Sequence, residues 1–283
     1  MILVVLQWPS ERLQIIACNV GQGDGILLIK GSVQVVVDGG PSGEKILACL
    51  EKYAPFWDRT IELIVLTNTD FDHMNGLVAV VERYTVEQFV TADGVHASDS
   101  LERMIKGLSQ QGVSVRGIEQ GDVIKILRPE TLEFSVLWPP ELIEEYVAIF
   151  SDQMDKKQRE QILSASAKRG DLNERSVVLL LLEDNKKYLL MGDVGFQAEA
   201  QLVKSGTLSQ VDYLKVGHHG SKYATSREFL ELVRPKIAVI SVGANNRYGH
   251  PTRETLDRLQ LVGSVVKRTD QIGSVETFPI HLD

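Results

Sequence analysis

Short apolar segments that end at a glycine, aspartate or histidine recur along the sequence and limit the folds it can adopt. In the first part, strand-like runs such as "RLQIIACNV" and "SVQVVVDGG" alternate with turns, and a helical period follows Gly40. The run "IELIVLT" is continuously apolar, and a second helical period follows it. Because buried strands that alternate with amphipathic helices are typical of sheets covered by helices, the sequence predicts an α/β fold.

The last third of the sequence repeats the order of strand, loop and helix, with "VDYLKV" and "PKIAVISVG" as its apolar strands. Loops that carry Asp or His therefore follow core strands in both halves of the chain, which predicts a four-layer αβ/βα sandwich with a site at one edge of its two sheets. Since no Pro- or Ser-rich linker divides the 283 residues, we expect a single domain over 1–283. The charged segment 141–172 predicts a helical insertion, either a mobile cover or a solvated surface helix.

Charge and cysteine content narrow the classes of protein. A formal net charge of −8 disfavours a broad basic surface for duplex DNA, although a local metal site can still accept a phosphodiester. Cys18 and Cys49 lie in apolar segments, which predicts buried thiols. The opening "MILVVLQW" is too short to cross a bilayer and lacks a basic start, so a soluble, cytoplasmic protein is the default expectation. The same opening is also compatible with the trimmed end of a membrane segment in a longer parent, and the oligomeric state is not indicated.

The segment "LTNTDFDHMNGL" leads from an apolar strand into a helix and carries Asp70, Asp72 and His73. Four of the six histidines lie in loops directly after apolar strands: His73, His218, His219 and His250. Imidazoles and carboxylates in short Gly-bounded loops predict a metal site. Asp193, at the end of "LLMGDV", would bridge two cations, because cations about 4 Å apart repel without an anion between them. The plain alternatives are hydrogen-bonded core histidines and an Asp193 that caps the next helix.

An ordered set of motifs extends this interpretation from about residue 13 to residue 274. The motifs are "NVGQGDGILL", "VVVDGG", "TNTDFDHMNGL", "NERSVVLLL", "LLMGDV", "LKVGHHGS" and "NNRYGHP". Together they resemble the metallo-β-lactamase superfold and, more narrowly, the C-terminal hydrolase domain of the ComEC/Rec2 family of DNA-uptake proteins. The resemblance implies metal-dependent hydrolysis at the loops where the strands end.

The resemblance also implies a set of metal ligands. The family's His-x-Asp-x-Asp-His motif, its bridging aspartate and its closing histidine correspond to Asn68, Asp70, Asp72, His73, Asp193 and His218. Asn68 replaces the family's first histidine, and an amide oxygen suits Mn²⁺ or Mg²⁺ better than zinc. We therefore expect one or two divalent ions per chain, Mn²⁺ or Zn²⁺, with Mg²⁺ as a third option.

Further residues receive supporting or catalytic roles from the same resemblance. Asp38 is expected to support the metal loops, and His219, Asn173 and Ser176 are expected to line the substrate or support the ligands. The catalytic set would be Asp72, Asp193 and His250, with His250 contacting phosphate or delivering a proton.

These residues lead to one preferred function and two alternatives. The preferred function is metal-dependent hydrolysis of a phosphodiester, nuclease-like, with single-stranded DNA as one candidate substrate. The first alternative is a small-molecule phosphodiesterase similar to a phosphorylcholine esterase. The second is a binding module whose metal site has degenerated at Asn68.

Overall fold

The computed structural model describes residues 10–92, 98–127, 130–141, 147–150, 154, 157–158 and 172–277. Most of the segment predicted as a helical insertion, 141–172, lies outside the described residues. Within the described residues, no helix is both long enough and apolar enough to cross a membrane.

The described chain alternates strands and helices as predicted. The strands are β1 Gln14–Ala17, β2 Ile26–Lys30, β3 Val33–Val37, β4 Thr60–Ile61, β5 Leu63–Leu66, β6 Thr85–Val86, β7 Phe89–Thr91, β8 Val115–Gly117, β9 Val123–Ile126, β10 Leu132–Trp138, β11 Val178–Glu183, β12 Lys186–Leu190, β13 Tyr213–Lys215, β14 Ile237–Ile240, β15 Val265–Arg268 and β16 Val275–Thr277. The helices are α1 Gly43–Tyr53, α2 Phe71–Arg83, α3 Asp99–Gln110, α4 Phe196–Ser205, α5 Arg227–Val233, α6 Arg253–Leu261 and α7 Thr269–Ile272. Short 3₁₀ turns lie at Ala148–Phe150, Leu172–Arg175 and Gly217–Gly220.

Within the described residues, two seven-stranded sheets have the same arrangement of strands. Their strand orders are β16-β1-β2-β3-β5-β7-β8 and β15-β14-β13-β12-β11-β10-β9, and β4 pairs with β6 in a separate ribbon. In each sheet, an antiparallel meander, β1 to β3 or β10 to β12, leads into strands that pair in parallel. The parallel series are β3-β5-β7-β8 and β12-β13-β14-β15.

The hydrophobic core is divided into three layers by the two sheets. Apolar residues of α1, α2 and α3, including Leu50, Leu77 and Met104, cover the outer face of the first sheet. The inner faces of both sheets pack against each other, and α4, α5 and α6 cover the outer face of the second sheet. The predicted four-layer αβ/βα sandwich is therefore confirmed.

The parallel pairing decides where polar residues meet. Asp38 follows β3, the Asn68–His73 loop follows β5, Asp193 follows β12 and His219 follows β13. Because parallel strands place their carboxyl ends at the same edge of a sheet, these loops lie together at one edge of the sandwich.

The expectation of free buried thiols was wrong. Cys18, just after β1, and Cys49, in α1, form a disulfide with their Cα atoms 5.9 Å apart. The two residues are separated by 31 positions, and only the packing of α1 on the first sheet brings them together. The disulfide joins the start of the loop that carries Asp24 to the helix behind it.

Candidate metal centre

Asp38 and His73 form the part of the site contributed by the first sheet. Asp38 Oδ1 accepts a hydrogen bond from the Thr67 N–H at 2.8 Å, and its Oδ2 accepts one from the Thr67 hydroxyl at 2.6 Å. His73 is fully buried in the first turn of α2, and its Nδ1 lies 2.8 Å from Asp38 Oδ2. This contact favours the proton on Nδ1, which leaves His73 Nε2 as the nitrogen for a metal.

Three glycines, Gly39, Gly40 and Gly76, allow the close approach that brings Asp38 to His73. The Gly76 N–H donates to the Gly40 carbonyl at 2.7 Å, and the Gly39 N–H donates to the His73 carbonyl at 2.7 Å. A Cβ atom at Gly76 would collide with the Gly39 carbonyl oxygen. The start of α2 therefore packs backbone against backbone on the Asp38 loop, and the "DGG" and "NG" pairs in the sequence serve this close approach.

Asp193 and His219 form the part contributed by the second sheet. Both His218 and His219 have left-handed backbone conformations, with φ of 45° and 52°, in the turn after β13. His219 is buried, and its Nδ1 lies 2.9 Å from the Ser241 carbonyl oxygen, to which it can only donate. His219 Nε2 consequently faces the carboxylates, 3.3 Å from Asp72 Oδ2 and 3.4 Å from Asp193 Oδ2.

The two parts converge on one small space. His73 Nε2 lies 3.0 Å from Asp193 Oδ2, and ligand atoms of Asp72, His73 and His219 all lie within 4.8 Å of one another. The buried Nε2 atoms of His73 and His219 make no hydrogen bond with any residue that the structure describes. Two such nitrogens and two carboxylate oxygens, held by outer partners on both imidazoles, fit one divalent cation.

The charges of this group depend strongly on one another. Burial favours the neutral form of Asp193, but His219 and His73 outweigh burial and hold the pKa of Asp193 well below its usual value. Burial likewise opposes protonation of His73, but Asp193 and Asp38 raise the pKa of His73 well above its usual value. A positive charge beside Asp193 therefore stabilises the pocket. Protons on the two imidazoles supply this charge when no metal is bound, and a divalent cation would replace those protons.

Asn68 is held at the border of this pocket by two hydrogen bonds. Its Oδ1 accepts from the Asp70 N–H at 2.9 Å, and its Nδ2 donates to the Ser176 hydroxyl at 2.8 Å. Because a backbone N–H can only donate, this pairing fixes which end of the amide is oxygen. The amide oxygen predicted as a metal ligand is thus already used within the protein.

The sequence profile of the Metallo-beta-lactamase superfamily matches residues 18–244. The chain belongs to this superfamily. The metallo-β-lactamase match covers every strand from β2 to β14, and it includes Asp38, Asp72, His73, Asp193 and His219.

Two curated relatives match this metallo-β-lactamase domain over most of its length. It is 29% identical to ComE operon protein 3 of Bacillus subtilis over 77% of this chain and 24% of that protein. It is 26% identical to Recombination protein 2 of Haemophilus influenzae over 97% of this chain and 30% of that protein. The predicted resemblance to the ComEC/Rec2 family is confirmed, and the chain spans less than a third of either relative.

A solved structure agrees with the fold of the domain. The metallo-beta-lactamase fold protein YhfI of Bacillus subtilis superposes with a TM-score of 0.58 at 10% identity, over 94% of this chain and 99% of that one. At this identity the likeness concerns the fold alone.

The metallo-β-lactamase domain buries a lysine beside its candidate metal centre. Lys215, the last residue of β13, is fully buried, and its Nζ contacts Asp24 Oδ2 and donates to the Gly192 carbonyl at 2.9 Å. Burial favours a neutral Asp24, but Lys215 and His219 oppose it and lower the pKa of Asp24. The motifs of the sequence do not single out Lys215. Strand alternation contained the signal, because Lys215 follows Tyr213 by two residues and so points to the same inner side.

His218 and His250 lie outside the central group and form its rim. The His218 ring contacts the ring of His219, with centroids 6.2 Å apart, and that of His250, with centroids 5.8 Å apart. The exposed Tyr248 ring stacks on His250 at 5.9 Å, with an interplanar angle of 22°. A row of rings therefore leads from the buried His219 to the surface at Tyr248.

The structure separates the predicted site residues into three positions. Asp72, His73 and Asp193 lie in the central group, together with His219, whereas His218, the predicted closing ligand, lies on the rim. Asn68, Asp70 and Ser176 lie along the border, where the partly buried Asp70 begins α2. The Asn173 carbonyl accepts from the Ser176 N–H at 3.0 Å, so Asn173 holds the border residue Ser176 in place.

Proposed function

We propose that this domain is a metal-dependent hydrolase that cleaves phosphodiester bonds in a polynucleotide. The observation that carries the proposal is the convergence of His73 Nε2, His219 Nε2 and carboxylate oxygens of Asp72 and Asp193 at the sheet edge. A site with this mixture of nitrogen and carboxylate ligands suits Mn²⁺ or Zn²⁺, and the carboxylates extend it to Mg²⁺.

Each residue of the centre has a defined task in this proposal. A bound divalent cation would supply Lewis acidity toward a phosphoryl oxygen and toward an attacking water. Asp72, His73, Asp193 and His219 would hold that cation. Asp38 and the Ser241 carbonyl keep both imidazoles in the tautomer that offers Nε2, through the contacts at 2.8 and 2.9 Å.

His250 suits the orientation of phosphate better than proton delivery. Burial and the nearby His218 lower the pKa of His250 to about 4, so its imidazole is neutral near pH 7. Among the described residues, none makes a hydrogen bond with the buried His250 Nδ1, while the backbone N–H of His250 donates to Asn246 Oδ1 at 3.0 Å. A neutral, held imidazole at the rim would donate a hydrogen bond to a phosphate oxygen.

The surface beside His250 favours a nucleotide polymer over a small ester. The Tyr248 ring is exposed, and the guanidinium of Arg247 lies 5.4 Å from its centroid. Tyr223, shortly after the turn that carries His218 and His219, is also exposed, and Lys222 Nζ lies 5.0 Å from the centroid of its ring. Aromatic faces flanked by cations are the usual platform for bases of single-stranded nucleic acid, and they need no broad basic surface. The relative named Recombination protein 2 agrees with such a substrate.

The proposal is tested with the Mn²⁺-loaded protein and two substrates, a labelled single-stranded oligonucleotide and bis(p-nitrophenyl) phosphate. We expect cleavage of the oligonucleotide that stops in Asp193→Asn. Tyr248→Ala should raise the KM for the oligonucleotide about tenfold, since one lost base stack costs about 1–3 kcal/mol, and Tyr248→Phe should retain the wild-type KM. The small ester should respond to Tyr248→Ala much less.

Two results would replace the proposal by an alternative. Turnover of the small ester with no cleavage of any polynucleotide would identify a small-molecule phosphodiesterase. Mn²⁺ binding without turnover of either substrate would identify a binding module, the alternative that the hydrogen-bonded amide of Asn68 favours.

A further inference from the structure

We propose that Lys215 supplies the second positive charge of the centre, so that the domain holds one divalent cation beside one built-in ammonium. The resemblance to the ComEC/Rec2 family implies two metal positions bridged by Asp193. This inference rests on the metal centre of the proposed function but not on its substrate.

The contacts of Lys215 are those of a fixed cation at the centre itself. Its side chain is fully buried, and its Nζ contacts Asp24 Oδ2, lies 2.9 Å from the Gly192 carbonyl oxygen and 3.8 Å from Asp193 Oδ1. Removing an ammonium from water costs several kcal/mol unless charged and polar partners surround it. The Asp24 carboxylate on one side and the Gly192 carbonyl on the other are such partners, so the pocket stabilises a charged Lys215.

The two carboxylate oxygens of Asp193 face two different positions, one for a metal cation and one for the ammonium of Lys215. Its Oδ2 faces the imidazoles, 3.0 Å from His73 Nε2 and 3.4 Å from His219 Nε2, where the divalent ion would be held. Its Oδ1 faces Lys215 Nζ and has no hydrogen-bond partner in the described part of the chain. A carboxylate that would bridge two metals in a dinuclear centre thus bridges one metal position and one ammonium here.

The charge of the pocket is balanced by this arrangement. Three carboxylates have an oxygen within 3.4 Å of His219, those of Asp24, Asp72 and Asp193. The fourth carboxylate, Asp38, lies behind His73, and its oxygens are taken up by Thr67 and by His73 Nδ1. One ammonium and one divalent cation neutralise three carboxylates. A second divalent cation beside Lys215 would leave an excess of positive charge in a buried space, which is strongly unfavourable.

The side chain of Asn68, which corresponds to a ligand of the second metal in the family, is already paired within the protein. The Asn68 amide is used by the Asp70 N–H and by the Ser176 hydroxyl, at 2.9 and 2.8 Å. Replacement of the family's histidine by Asn68 and the inward ammonium of Lys215 therefore agree with each other. Asn68 takes away a ligand of the second cation, and Lys215 supplies the positive charge that this cation would otherwise supply.

The metal content of the purified protein tests this inference without any substrate. After removal of metal with a chelator and dialysis against Mn²⁺, mass spectrometry should find one equivalent in the wild type. The electron paramagnetic resonance spectrum should be that of isolated Mn²⁺, without exchange coupling between two ions. Two equivalents or a coupled spectrum in the wild type would overturn the inference, and neither readout requires a variant to fold.

Variants of Lys215 sharpen the test. In Lys215→Ala, oxygens of Asp24, Asp193 and Gly192 are left without a cation, so a second equivalent of Mn²⁺ should bind or the first should bind at least about tenfold tighter. Lys215→Arg should keep one equivalent. Lys236→Met is the matched control, because Lys236 pairs with Asp212 at 2.7 Å on the surface. Unchanged stoichiometry and affinity in a folded Lys215→Ala would contradict the inference.

The outcomes for Lys215 and for the proposed function are distinguishable. One equivalent of Mn²⁺ without hydrolysis leaves the role of Lys215 intact and removes the function. Two equivalents with hydrolysis leave the function intact and remove the role of Lys215.

Discussion

The two ends of β5 both bury acidic side chains, yet they do so in different ways. Before the strand, the buried Glu62 accepts a hydrogen bond from the Gln34 N–H at 2.7 Å, and burial raises the pKa of Glu62 to about 7. After the strand, loops bring Asp193 against His219 and His73, which lower its pKa despite its burial. Burial alone thus raises the pKa of the carboxyl group at Glu62, whereas two adjacent imidazoles reverse that effect at Asp193.

The largest expected effect is at the end of β5 that carries the metal centre. Asp193→Asn keeps the shape of the side chain but removes the charge that both imidazoles face. Loss of an outer hydrogen-bond partner typically weakens metal binding about 10- to 100-fold, so loss of this ligand should weaken Mn²⁺ binding by at least about 100-fold. Isothermal titration calorimetry measures it. Glu62→Gln is the control from the opposite end of β5, and a similar loss in that variant would break the comparison.

The next effect concerns the disulfide, which lies beside the metal end alone. The Cys18→Ser/Cys49→Ser double variant should lose about 3 kcal/mol of unfolding free energy, the typical contribution of a bond closing a loop of this length. Urea unfolding monitored by circular dichroism gives the value. An unchanged unfolding free energy would show that the packing of α1 alone holds the Asp24 loop.

The disulfide also bears on the compartment in which the domain works. Because such bonds persist mainly in oxidising environments, we expect an oxidising compartment rather than the cytoplasm expected from the sequence. Labelling of free thiols in protein isolated from its native host, with and without reductant, tests this expectation. Complete labelling without reductant would contradict it.

A smaller effect is expected at the start of β5, and it depends on pH. Since the pKa of Glu62 is raised in the folded state, folding binds a proton between about pH 4.5 and 7, and stability decreases as the pH rises through this range. Glu62→Gln should therefore gain about 1–2 kcal/mol at pH 8 and nothing below pH 4. Urea unfolding at both pH values measures the gain, with the exposed Glu102→Gln as control. A gain that is equal at both pH values would mean that charge is not the cause.

The smallest effect is expected from Asn68→His. Restoring the family's histidine should leave one equivalent of Mn²⁺ and change its affinity by less than about fivefold, because the ammonium of Lys215 remains beside Asp193. Metal analysis after dialysis measures both quantities, with Asn68→Ala as the matched control. A second equivalent in Asn68→His alone would show that the missing imidazole, and not Lys215, sets the number of metals.

Much of the site was predictable because its loops follow strands with a clear apolar pattern. The run "IELIVLT" located the Asn68–His73 loop, and "LLMGDV" located Asp193. The choice between His218 and His219 was not predictable. Two adjacent residues with left-handed backbone conformations point in different directions, and only the Ser241 carbonyl from β14's end fixes which imidazole turns inward.

The layered α/β fold could be predicted from the amino-acid sequence alone, because hydrophobic periodicity is local and shows which face of each strand or helix is buried. It also determined which loops carry carboxylates and imidazoles. Three contacts could be seen only in the folded protein. They are the disulfide between Cys18 and Cys49, the hydrogen bond from the Asn68 amide to the Ser176 hydroxyl and the ion pair of Lys215 with Asp24. The paired residues are 31, 108 and 191 positions apart in the sequence. They come into contact because the sheets and helices pack together, which no local sequence pattern shows.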